Sequence, residues 1–272
     1  MLIAIDTGGT KTLVTSFYRD GKPHKSYRFQ TPHDKRDYLT ALAALVNQHY
    51  SLQKVSAIVI AVPGVVKNNR AVWCDNLGWK DFNIPLGLKK LGITVPVFLE
   101  NDANLAALGE VRRLKQIPSL ALYLTVSTGI GSGLIVDGHI QPATSNSEAG
   151  HMVLNFHGHY QEWETFASGR ALKATYQKLA RDIPETDTKT WQEVAEKISV
   201  GLLALIPSLQ PEIIIIGGSI GTYFQRYKSF LDDILKSQLN EHFPIPPVIQ
   251  ARFPEEAVLY GCFCYGSDRS FN

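Results

Sequence analysis

Only three cysteines occur in 272 residues, Cys74, Cys262 and Cys264. They make neither a disulfide framework nor a recognised metal spacing. Cys262 and Cys264 lie in the apolar run Ala257-Val258-Leu259-Tyr260-Gly261-Cys262-Phe263-Cys264, where small core residues are expected. Charge of one sign is just as scarce: 27 Lys and Arg against 25 Asp and Glu leave a net +2. Cations so dispersed give no electrostatic case for a nucleic-acid or membrane partner. No apolar stretch is long enough to span a bilayer. The chain opens on a strand-like Leu2-Ile3-Ala4-Ile5 with no basic region and signal core before it, and low-complexity tracts are missing. These absences lead us to expect a reduced, cytoplasmic globular protein. Its length and 44% hydrophobic content suffice for one large or two modest domains.

What is present centres on Glu100-Asn101-Asp102-Ala103-Asn104. The apolar run Val95 to Leu99 precedes it, and a helix-favouring segment, Ala106 to Val111, follows. A strand that ends in polar residues and becomes a helix sets side chains at a sheet's carboxyl edge, where open α/β sheets bind ligands. An Asp there can take a proton from a substrate hydroxyl, and the neighbouring Asn can orient that substrate. A helix cap needs only one such residue. Four polar residues in five positions favour a catalytic role for Asp102 alongside capping.

The strongest organisational signal is a repeat. Leu2–Ile5, the loop Asp6-Thr7-Gly8-Gly9-Thr10-Lys11, the run Leu13–Tyr18 and a turn at Asp20-Gly21 are matched by a second copy. That copy is Leu120–Val126, the loop Ser127-Thr128-Gly129-Ile130-Gly131-Ser132-Gly133, Leu134–Val136 and a turn at Asp137-Gly138. Each reads as a β-hairpin whose loop can aim backbone N–H groups at a phosphate. Neither is a P-loop, because a strand follows it. Two copies suggest two similar domains.

Elsewhere, helical periodicity covers 36–50, 164–181, 189–206 and 223–241. Val55–Val62 reads as a buried strand stopping at Pro63-Gly64, and Ile213–Ile216 as another, stopping at Gly217-Gly218-Ser219. A Gly-Gly at such a turn permits close approach of a flat ligand. Trp73, Asp75, Asn76 and Trp79 suit a sugar, whose apolar face stacks and whose hydroxyls need hydrogen bonds; a loop folded over its own tryptophans reads equally well.

Together the motifs resemble the ROK family of sugar kinases and repressors, above all its glucokinase-like members. Six occur in order: Asp6 to Lys11, Glu100 to Asn104, Thr128-Gly129-Ile130-Gly131, Glu148-Ala149-Gly150-His151, Ala167-Ser168-Gly169 and Ile216-Gly217-Gly218. The resemblance implies the actin-like, ribonuclease-H-like α/β fold, with two α/β domains flanking a central cleft. It implies an N-terminal sugar and phosphate domain over 1–117, a nucleotide-binding domain over 118–254, and a helix over 255–272 packing back on the first domain.

It further implies an ATP-dependent hexose phosphotransferase, glucose 6-OH first, with Asp102 as base and Mg²⁺ as cofactor. Gly64, Asn76, Asn101, Asp102, Glu148, His151 and Glu164 match sugar-binding positions. Gly8, Gly9, Thr10, Lys11, Thr128, Gly129, Gly217 and Gly218 match the nucleotide side. Partners implied are a sugar and a nucleotide, in a homodimer, with no nucleic acid and no membrane.

Two departures stand out. Where many members carry a cysteine zinc loop after Gly-His, this chain has Asn155, His157 and Glu162. No thiolate remains there, so no metal site is expected. An imidazole site from His151, His157 and His159 is the lesser alternative. Packing of Tyr160, Trp163 and Phe166 is expected to order the segment instead. Ser127 also replaces a usual glycine, which puts the fit of that loop in question.

Polyphosphate is an alternative donor, and N-acetylmannosamine, N-acetylglucosamine, fructose and mannose are alternative acceptors. A sugar-binding sensor without catalysis is the reading from another class. A repressor is expected to need a DNA-binding domain ahead of the first loop, for which Asp6 leaves no room.

Overall fold

The computed structural model describes residues 1–253 and 256–270. They divide into two compact units, Met1–Arg112 with Glu256–Asn272, and Arg113–Glu255. The expected border between 254 and 255 falls outside the described residues.

In the first unit, β1 (Leu2–Thr7), β2 (Lys11–Phe17), β3 (Pro23–Gln30), β4 (Ala57–Val62) and a later strand, Val97–Asn101, form one sheet. All six residues of β4 are buried, as befits an interior strand of a parallel pair. The polar β3 is an edge strand and starts on Pro23, where a missing N–H is tolerated. Helix α1 (Lys35–His49) is capped by Asp34, whose carboxylate accepts the Arg36 and Asp37 N–H groups.

The aromatic segment that could have been a sugar-facing loop is a small antiparallel sheet of β5 (Val65–Lys67), β6 (Arg70–Cys74) and β7 (Trp79–Phe82). Trp79 is core: its Nε1 donates to the His33 carbonyl at 2.7 Å, and its ring lies 4.7 Å from Tyr38 and 5.0 Å from Phe82. Trp73 and Val72, by contrast, are exposed. After α2 (Ile84–Lys90), β8 (Val97–Asn101) completes the sheet in the order β3-β2-β1-β4-β8 and runs straight into α3 (Asp102–Val111).

In the second unit, β9 (Leu120–Val126), β10 (Ile130–Val136) and β11 (His139–Ile140) lead to a hairpin of β12 (Val153–Phe156) and β13 (His159–Glu162). Helices α4 (Trp163–Ala167), α5 (Gly169–Tyr176) and α6 (Thr188–Leu209) follow. Then come β14 (Ile213–Gly217), α7 (Gly218–Gly221), α8 (Phe224–Gln238) and β15 (Val248–Gln250). The sheet order is β11-β10-β9-β14-β15. Trp163, fully buried, fits under α6 because Gly201 has no side chain; a Cβ there would lie 2.2 Å from the indole.

The final helix, α9 (Ala257–Ser270), returns to the first unit and crosses α3 at backbone distance. A Cβ on Gly261 would lie 1.8 Å from the Leu105 carbonyl, and one on Gly109 would lie 2.2 Å from that of Ala257. No helix of the described residues is long and apolar enough to cross a membrane.

Candidate active site

In the first sheet β1, β4 and β8 are parallel, so their carboxyl ends share one edge. That edge carries Asp6 and the Gly8-Gly9-Thr10-Lys11 loop after β1, Gly64 after β4, and Asn101-Asp102 after β8. Gly8 N–H donates to the Lys11 carbonyl at 3.1 Å and closes the loop. Gly9 lies against Asn76: a Cβ there would be 3.8 Å from the Asn76 carbonyl. Gly64 has φ +104°, and a Cβ would meet the Trp73 carbonyl at 2.2 Å, so only glycine fits.

Asn101 caps α3 through Oδ1, which accepts the Asn104 N–H at 3.0 Å, and its Nδ2 donates to the Gly64 carbonyl at 2.9 Å. Two expected sugar ligands are therefore bonded to each other, and one Asn101 amide hydrogen is left over. Asp102 begins α3, and its Oδ1 accepts the Ala103 N–H at 2.8 Å. It thus stands at the positive end of the helix dipole. Its charge reaches Cys74, whose thiol is pushed up to about 12, first by burial and then by Asp102.

Asp6 was read as part of a motif and given no role. Burial alone pushes its carboxyl up to about 6.

The second sheet repeats the geometry, with β9 and β14 parallel to β15. The Thr128-Gly129 loop follows β9 and the Gly217-Gly218 turn follows β14. Ser127 has no positive φ, so it adopts the loop without strain. Its Oγ accepts the Ser219 N–H at 3.0 Å and joins the two turns. A cavity of about 840 Å³ opens here, lined by Thr125, Thr128, Gly218 and Tyr223 and by the cations Arg170 and Lys173. The two cations were missed, although their i, i+3 spacing after Ser168-Gly169 puts them on one face of α5.

Glu164 packs on the same loop. Its Oε2 accepts the Ile130 N–H at 3.1 Å and would lie 2.4 Å from a Cβ on Gly129. Gly150 presses on the Ile130 carbonyl, which a Cβ would approach to 2.1 Å. Burial raises the pKa of Glu148, the Glu164 charge adds to this, and His151 opposes it. His151 Nδ1 lies 3.0 Å from Glu162 Oε2, and that hydrogen bond raises the histidine pKa.

The segment after His151 is the β12–β13 hairpin. His157 turns it with φ +52°, and Asn155 Oδ1 accepts the Gly158 N–H. Phe156 stacks on Phe166 at 4.5 Å, whereas Tyr160 is 78% exposed and does not pack as expected. Among the described residues, the group that could hold a metal is His151, Glu162 and Glu164, not the three histidines. This group supplies three donors, two of them carboxylates, against the four Cys and His ligands of a structural zinc site.

The family model described as "ROK family" matches residues 2–268. A xylose repressor from Bacillus spizizenii is 31% identical over 185 residues, 60% of this chain and 48% of the repressor; the match spans about half of that relative's length. A fructokinase from Pediococcus pentosaceus is 27% identical over 267 residues, 91% of this chain and 90% of the relative. A ROK family glucokinase from Streptomyces griseus, solved with glucose and AMPPNP, superposes with a TM-score of 0.79 at 23% identity, covering 96% of this chain and 97% of that one. The fold is the actin-like, ribonuclease-H-like α/β fold.

Proposed function

The chain belongs to the ROK family, and from that membership we propose that it is a sugar kinase. It transfers the γ-phosphate of ATP to a hexose hydroxyl, glucose 6-OH first, with Asp102 as general base. The observation that supports this reading is the shared carboxyl edge of β1, β4 and β8, which carries the Gly8 to Lys11 loop, the bonded Asn101–Gly64 pair and Asp102.

In the proposed reaction Asp102 accepts the hydroxyl proton as the sugar oxygen attacks the γ-phosphorus. The bond to the bridging β–γ oxygen breaks, and the nucleoside diphosphate leaves. Such a transition state needs positioning and charge neutralisation more than covalent help. Gly64, Asn76, Asn101, Glu148, His151 and Glu164 are the proposed sugar contacts. The first unit serves sugar and phosphate. Gly8 to Lys11 are assigned to the terminal phosphate, and the cavity beside Thr128-Gly129 and Gly217-Gly218 to the rest of the nucleotide.

Asp6, partly buried at the end of β1 with its carboxyl raised by burial, is proposed to hold Mg²⁺, which would neutralise donor phosphate charge. The working form is proposed to be a cytoplasmic homodimer, which light scattering on the purified protein checks.

A coupled assay against a hexose and N-acetylhexosamine panel, with ATP and polyphosphate as separate donors, tests the proposal. Transfer to glucose from ATP is expected. A wild type inactive on every sugar with either donor would overturn it. The xylose-repressor similarity favours a second reading, a sugar-responsive regulator without transfer. Sugar binding by calorimetry with no turnover would select it.

A further inference from the structure

The proposed transfer chemistry leaves Glu100 unused, yet its carboxylate is buried, with 7% exposed, beside the α3–α9 contact. One oxygen, Oε1, accepts both the Asn101 backbone N–H at 2.9 Å and Asn104 Nδ2 at 3.0 Å. Those two residues flank Asp102 and are themselves joined by the Asn104 N–H to Asn101 Oδ1 bond. Tyr265, which stands on α9, faces the Glu100 carboxyl with its hydroxyl and favours the ionised form. Arg269, one turn further on, adds its charge. Its guanidinium covers the Tyr265 ring at 3.5 Å and donates to the Tyr265 carbonyl at 3.2 Å.

Burial disfavours the ionised carboxyl here, as the raised pKa of Glu100 records. An apolar residue of the same size would avoid that penalty, and buried ionic groups are often replaceable without loss of stability. Stability therefore gives no reason for a carboxylate at this position, whereas geometry does. A carboxylate can accept from the Asn101 backbone, the Asn104 amide and the Tyr265 hydroxyl together. A glutamine of the same volume has one acceptor oxygen and must turn N–H groups toward a partner.

We propose that Glu100 is a positioning residue that fixes Asp102 by clamping both ends of its turn to Tyr265 on α9. The inference rests on the kinase reading for its kinetic consequence but not for its structural one.

Three variants test it: Glu100→Gln, Tyr265→Phe and the pair together, with Val46→Ala as a core control remote from the turn. The expected result is a kcat lowered roughly tenfold by Glu100→Gln and roughly threefold by Tyr265→Phe, with sugar KM changed less than about twofold. The pair should be no worse than Glu100→Gln alone, because both act through one network. Val46→Ala should lower Tm and leave kcat unchanged. Hydrogen exchange at the Ala103 and Asn104 amides should quicken in both single variants.

A Glu100→Gln kcat within twofold of wild type overturns the proposal. So does a loss that follows Tm as in Val46→Ala, or additive losses in the pair. If the wild type transfers phosphate to no sugar, the kinase reading falls and amide exchange decides alone. Quickened exchange then sustains the clamp, and unchanged exchange overturns it.

Discussion

The sheets β3-β2-β1-β4-β8 and β11-β10-β9-β14-β15 run in the same order with the same strand senses. In each, a Thr/Gly hairpin follows the first parallel strand, and a glycine of positive φ follows the second, Gly64 at +104° and Gly218 at +81°. They differ in what the shared edge carries. The first sheet ends β1 in Asp6-Thr7 and β8 in Glu100-Asn101 before Asp102. The second approaches its loop through Thr125-Val126 and ends β15 in Gln250, whose amide donates to the Gly221 and Thr222 carbonyls at 3.0 and 2.9 Å. The first edge therefore carries acids, to which the proposed reaction gives a proton and a cation. The other offers hydroxyls, backbone N–H groups and the Arg170 and Lys173 cations for an anion. A repeated scaffold has been divided between two chemistries by a handful of side chains.

The largest break in that division should come from Asp102→Asn. Loss of a general base is expected to lower kcat by about 10²–10⁴ while leaving sugar affinity by calorimetry nearly intact. A near-normal kcat would remove Asp102 from the base role.

Next come the paired glycines. Gly64→Ala and Gly218→Ala each force a Cβ into contacts of 2.2 and 2.6 Å at positive φ. Each should destabilise by about 1–3 kcal/mol in thermal unfolding. Gly64→Ala should raise the KM for sugar and Gly218→Ala that for ATP. The same KM rising in both would erase the distinction between the edges.

Asp6→Asn should separate function from stability. The folded pKa is raised from 3.8 to about 6, so the burial penalty is absent below the unfolded value and complete above the folded one. The variant should therefore gain stability at pH 8, on the order of 3 kcal/mol at most, and none below pH 3.8, while its Mg²⁺-dependent turnover falls. No gain at pH 8 would mean that the acid is already paired.

The smallest effect belongs to His151 and Glu162. The histidine pKa is raised, so the bond's contribution is full below the unfolded value and fades as pH rises through the folded one. With side chains 43% and 45% exposed, it should be worth under about 1 kcal/mol and be weakened by salt. Tm measured from pH 6 to 8 should fall slightly more in wild type than in Glu162→Gln, and equal slopes would discount the bond.

Legibility followed local chemistry. The two hairpins could be read because Gly, Thr and Asp-Gly turns have few alternative uses, and β4 and β14 because unbroken β-branched runs suit buried parallel strands. Asp102 showed itself through polar excess at a strand end. The small sheet containing Trp79 was not settled, because aromatics beside amides read equally as core and as sugar platform. Only its distance to Tyr38 and Phe82 decides between them. The β12–β13 hairpin was hidden because its turn uses His157 at positive φ, which sequence rules assign to Gly or Asn. Asp6 and Glu100 were seen but left without roles, since each role depends on what burial and α9 bring near it.

The crossing of α3 and α9 also sets an order of events during synthesis. The polypeptide leaves the first unit at Arg112 and re-enters it at Glu256. Leu105 and Ala106 emerge from the ribosome some 150 residues before the Gly261 surface that covers them. The second unit has all its strands by Gln250 and can fold while the first still lacks a wall. A nascent chain stalled near residue 250 should thus contain a folded second unit and an unfinished acid-bearing one, which would keep the proposed base from its work until α9 has emerged.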